Sequence, residues 1–109
     1  MSRYLLIETK SPLDGGSYAF DLGRQLRELN HDVTIYLLQD AVFAARRRFE
    51  RGEGLLAEAT RRGLTVLADE VSLRERGVTG ERLSPAASPS TINDLVDLLM
   101  ERSDKAIWH

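Results

Sequence analysis

The sequence predicts an α/β protein: a three-layer α/β/α sandwich around a mostly parallel sheet of about five strands, flavodoxin-like in topology and formed by residues 1–109 as one domain. Three observations carry this reading. Short runs rich in aliphatic and β-branched residues alternate, along the whole chain, with segments whose apolar residues recur every three or four positions. The first run, Tyr4-Leu5-Leu6-Ile7, is apolar without interruption, as a strand covered on both faces must be. A single helical segment separates it from the second run, Val33 to Leu38, which makes a β-α-β unit with a right-handed crossover and a parallel strand pair.

The elements follow in order. After the first strand, Glu8 to Gly16 is a loop containing Pro12, Asp14, Gly15 and Gly16, all turn formers. The first helix carries Ala19, Leu22, Leu26 and Leu29 on one face, and Asn30 can take the left-handed conformation that ends it. The β-branched content of Val33 to Leu38 marks the second strand. A short helical piece is predicted over Val42 to Phe49 and a break at Arg51-Gly52-Glu53-Gly54. The next helix covers Leu55 to Arg62, packs Leu55, Leu56 and Ala59, and stops at Gly63. Leu64 to Ala68 is the third strand, followed by a short helix closed by Gly77. Val78 to Ser88 reads as irregular, with Arg82-Leu83-Ser84 a candidate fourth strand. Ser88-Pro89 has the form of an N-cap followed by a first-turn proline. The helix it opens extends to Arg102 and turns Ile92, Leu95, Val96 and Leu99 inward. After the Ser103-Asp104 turn, Ala106-Ile107-Trp108 is the last strand.

Composition excludes several classes of function. The chain has no cysteine, which removes disulfides, thiolate metal sites and any cysteine nucleophile or persulfide carrier. A net charge of −2 supplies no long-range field for nucleic acid, so none is expected as a partner. No apolar run reaches the length of a membrane span, and the first residues lack the apolar core and cleavage site of a signal peptide. The expected location is cytoplasmic, away from membranes. His31 and His109 are isolated from other ligands at metal spacing and are expected at the surface, with no metal site and no cofactor.

The stretch Gly63 to Gly77 is where chemistry is expected, because ligands of α/β proteins bind where strands give way to helices. Its pattern of a strand, the small residue Ala68, a polar turn and then Leu73-x-x-x-Gly77 resembles the reactive segment of the DsrE/DsrF-like (DsrEFH) family. These small α/β subunits act in intracellular sulfur oxidation and in sulfur relay for tRNA thiolation. Asp40-Ala41-Val42 also resembles the family's Asp-Gly-Val-like turn, with Ala41 as a departure. The resemblance implies that Asp69 stands where the family carries its persulfide cysteine, and Ser72 where some members have a second cysteine. It further implies a homo-oligomer, a trimer or hexamer, and a protein partner in a sulfur-relay-like complex. The same comparison takes away the family's sulfur transfer, since a carboxylate cannot donate a sulfane sulfur.

Several residues have two readings. Asp69, Glu70 and Ser72 form either an acid/base or cation-binding group, or the N-cap and acidic first turn of the helix that follows. Asp69 would also mimic the negative charge of a persulfide and preserve a docking surface. An enzyme would use Asp69 or Glu70 beside Lys10 or Arg74. Lys10 with Gly15, Gly16 and Ser17 forms either an anion-binding loop or a plain turn capped by Ser17 or Asp14. The run Arg46-Arg47-Arg48, with Arg51, reads as a solvated helical face or as ion pairs to a neighbouring subunit rather than an RNA contact. Trp108 belongs to the core or to an interface. Three classes therefore stand: a non-catalytic subunit or binding module, an enzyme, and a flavodoxin-like ligand binder that strand order would distinguish.

Overall fold

The computed structural model describes all residues from Met1 to His109. Five strands form one sheet: β1 (Arg3–Glu8), β2 (Asp32–Leu37), β3 (Thr65–Asp69), β4 (Ser88–Ser90) and β5 (Lys105–Trp108). Four α-helices accompany them: α1 (Tyr18–Glu28), α2 (Glu50–Arg61), α3 (Glu70–Glu75) and α4 (Ile92–Glu101). Strand order is β4-β3-β2-β1-β5, and every pairing is parallel. The α/β fold class is as the sequence predicts. The strand order departs from the 2-1-3-4-5 arrangement of flavodoxin and places the reversal of winding between β1 and β5.

Alternation along the strands divides the interior in two. Leu6, Val33, Ile35, Leu37, Val66 and Ala68 face α1 and α2 and belong to a large cluster that includes Ala19, Phe20, Leu56 and Ala59. Leu5, Ile7 and Tyr36 face the other way and form a smaller cluster with Leu38 and Leu95 of α4. Tyr36 is fully buried and donates its hydroxyl to the Thr91 carbonyl at 2.7 Å, which ties the start of α4 to the sheet.

Several local expectations are corrected. The piece after β2 is a 3-10 helix over Gln39–Ala45 and not a helix over Val42 to Phe49. Arg46 instead pairs with Leu83 in an antiparallel bridge, and Arg48 has φ of 68°. The break at Arg51 to Gly54 does not exist, because α2 runs through it. Gly52 is there for close approach: a Cβ would lie 2.4 Å from the Ala44 carbonyl oxygen, so α2 can sit on the 3-10 segment only without a side chain. Arg82-Leu83-Ser84 is not a strand, since Gly80–Arg82 is a 3-10 turn.

Ser88-Pro89 is not a helix start either. It lies in β4, a sheet edge where proline's missing N–H costs no ladder bond. The cap of α4 is Thr91, in a reciprocal capping box with Asp94. Of the four residues expected to face inward on α4, only Leu95 is buried; Ile92, Val96 and Leu99 are exposed. Leu29 is exposed too, being the residue that closes α1, and Asn30 follows with φ of 67° as the sequence predicts. No helix is long and apolar enough to cross a membrane.

Candidate functional site

The carboxyl edge of the sheet collects the loops after β1, β2 and β3. At the last of these, Asp69 ends β3 and caps α3 in extended backbone geometry. Its Oδ2 accepts from the Ser72 backbone N–H at 2.9 Å and from the Ser72 hydroxyl at 2.8 Å. The Ser72 hydroxyl in turn accepts from the Gln39 N–H at 2.9 Å. Gln39 has φ of 52°, so this bond holds an unfavourable turn between β2 and the 3-10 helix. One carboxylate thus fixes α3 and, through Ser72, the neighbouring loop.

Asp69 is only 4% exposed. It presents almost no charge to a partner in this chain, which weighs against a persulfide-mimicking docking surface. Its Oδ1 is buried and has no hydrogen-bond partner. Glu70 and Arg74 point outward as an i,i+4 pair at 4.0 Å. Asp40 is held by Arg76, Nε to Oδ1 3.0 Å. Asp69, Ser72 and the Gln39 turn therefore form one connected group, whereas Glu70, Arg74 and Asp40 are spent in surface pairs beside it.

The first loop is closed upon itself. The N–H groups of Asp14 and Gly16 both donate to the Ser11 carbonyl at 2.8 Å, and that of Leu13 to the Ser11 hydroxyl. A Cβ at Gly16 would fall 1.9 Å from the Lys10 carbonyl oxygen, so the turn demands glycine for packing. Ser17 occupies the cap position of α1 without a side-chain bond, and the cap comes from β1 instead. Glu8 Oε1 accepts the Ala19 N–H at 3.2 Å, and its Oε2 accepts those of Thr9 and Lys10. The plain-turn reading of Lys10, Gly15, Gly16 and Ser17 is the one this geometry favours, with Glu8 in place of Ser17 or Asp14 as the cap.

The sequence reading puts Glu8 at the start of a loop and gives it no role, whereas it is the last residue of β1. It is fully buried at the reversal point between β1 and β5, and His109 Nδ1 lies 2.8 Å from its Oε2. The Tyr18 and His109 rings lie 4.3 Å apart. His109 is therefore not a free surface histidine. The available signal was a carboxylate directly after an unbroken apolar run; nothing local ties it to a histidine 101 residues away. His31 is likewise engaged: its Nδ1 accepts from the Ser2 N–H at 3.0 Å.

The second missed feature is a groove of about 1160 Å³, lined by Arg46, Arg47, Arg48 and Arg82 together with Phe43 and Phe49. Read as a helix, the three consecutive arginines fan around an axis. As found, they lie along a bridge and a turn and share one groove. None of the residues singled out as ligand-binding in the sequence lines it.

The model of the DsrE/DsrF-like family matches residues 3–108. Among solved structures, the chain is similar to the ychN protein from E. coli, with a TM-score of 0.88 and 21% identity over the full length of both chains. It is also similar to MTH1491, a protein of unknown function from Methanobacterium thermoautotrophicum, with a TM-score of 0.77 and again 21% identity over both full chains. At such identities these likenesses show the fold. No curated protein matches the sequence.

Proposed function

Because this chain belongs to the DsrE/DsrF-like family, we propose that it is a family subunit that keeps the fold without the sulfur chemistry. It is a non-catalytic homo-oligomeric subunit or binding module, with a protein partner of the sulfur-relay type. The observation that carries this reading is Asp69. At the position where the resemblance puts the persulfide cysteine, a chain with no cysteine has a buried carboxylate engaged in capping α3. Such a group can neither carry nor donate sulfur.

Two features support assembly. The α4 residues Ile92, Val96, Leu99 and Met100 share one stripe by helical spacing and are all exposed. Trp108, 64% exposed, lies in register with Ile7 on β5, on the sheet face that α4 covers. Apolar surface of this kind suits a contact with another chain.

One observation favours the enzyme reading: Asp69 Oδ1 is a carboxylate oxygen with no partner. Urea unfolding of Asp69→Ala and Asp69→Asn separates the two. A cap predicts a loss of about 1–2 kcal/mol for alanine and most of it regained with asparagine. An alanine variant as stable as the parent would remove the structural role and favour the acid/base one.

A further inference from the structure

From the basic groove we infer a binding site for a small phosphate-bearing ligand with a flat ring, the chemistry of a nucleotide. Arg46, Arg47, Arg48 and Arg82 contact its phosphates, and Phe43 and Phe49 take its ring. The inference does not depend on the role of Asp69.

Four observations converge. The groove is assembled from the segments following β1, β2 and β3, so it lies outside the carboxyl ends of the strands, where α/β proteins place ligands. Its four arginines are exposed, and none forms an ion pair within the chain; Arg27, Arg51 and Arg102 form none either, but only the groove brings unpaired arginines together. Four unpaired cations drawn together on a chain of net charge −2 repel one another unless an anion joins them. Finally, Phe43 and Phe49 are half-buried and line the groove, Phe43 also packing against the main core cluster.

The backbone keeps this arrangement in place. The Arg47 N–H donates to the Arg82 carbonyl at 2.7 Å, and Ser84 N–H to the Ala45 carbonyl at 2.8 Å, so the two arginine-bearing segments are stitched together. The Arg48 N–H donates to the carboxylate of Glu53, one of the two acidic residues on the groove wall, which fixes the turn that carries Arg48. With Glu81 as the other, two carboxylates face four guanidinium groups, so the groove keeps an excess of positive charge. Arginine rather than lysine fits the case, because the planar fork meets phosphate oxygens two at a time. A flat ring fits the phenylalanines, on which bases stack without regard to their identity.

Isothermal titration of the full chain with ATP, with tripolyphosphate and with a short single-stranded oligouridylate tests this. ATP is expected to bind more tightly than tripolyphosphate and more weakly as salt rises. The Arg46→Glu/Arg82→Glu double variant is expected to lose about tenfold or more in affinity for both. Phe49→Leu is expected to weaken ATP and spare tripolyphosphate. Circular dichroism melts identify any variant that fails to fold, and Arg46→Gln/Arg82→Gln, which removes charge without reversing it, then replaces the glutamate pair. Tripolyphosphate binding as tightly as ATP would overturn the ring contact. Binding of neither, affinity indifferent to the arginine changes, or binding of the oligonucleotide alone would overturn the site.

Discussion

Asp69 and Glu8 show how much a single carboxylate can organise when it is buried with its donors. Each ends a strand, and each accepts backbone N–H groups of the segment that follows. The Glu8 bonds are the more numerous, and the side chain is wholly buried. Glu8→Ala would leave the N–H groups of Thr9, Lys10 and Ala19 without it and is expected to cost about 3 kcal/mol or more in urea unfolding. His109→Ala should cost less, because the backbone donors to Glu8 remain. Asp69 was legible in the sequence as a cap, since an acidic residue before a short helix with serine at the third helical position is a local pattern. Glu8 was not, because its partners come together only when β5 pairs with β1.

At the scale of elements, α4 depends on its first turn. The Thr91 backbone N–H, followed by the Ser90 hydroxyl, holds the Asp94 carboxyl below its ordinary pKa of 3.8. A carboxyl lowered in the folded state adds stability that is present above the unfolded value and lost as pH falls through the folded one. Stability should therefore fall in acid below about pH 4, and Asp94→Asn should flatten that part of the profile measured by urea midpoints. At the other extreme, burial raises the Tyr36 hydroxyl above its ordinary 10.0, so its contribution is lost as pH climbs past that value.

Helical spacing made the apolar stripe of α4 readable, but spacing does not say what covers it. Of its four residues only Leu95 is buried against the sheet, and Leu98, outside the predicted stripe, packs beside it. In the same way Gly52 looked like a break because its reason, the Ala44 backbone pressed against it, is a tertiary contact. The three residues of β4 were missed because such a short edge strand owes its existence to β3 rather than to its own β propensity. If the exposed stripe is an interface, Val96→Asp should dissociate the assembly in size-exclusion chromatography while leaving the far-ultraviolet circular dichroism unchanged.

The whole molecule was legible in outline. Alternating apolar runs and amphipathic segments are enough to specify a parallel sheet with helices on both faces, and the family model spans nearly the entire chain. The arginine groove was hidden because a run of like residues says nothing of its backbone, and a helix there would have scattered the side chains that a bridge and a left-handed turn bring together. In the function proposed above, a molecule with no cysteine serves by assembling with copies of itself. Native mass spectrometry of the purified protein, under gentle and then denaturing conditions, tests this most directly. A trimer or hexamer under gentle conditions is the expected result. A monomer at every concentration examined would contradict it, and with it the reading of α4 and Trp108 as a surface built for a second copy.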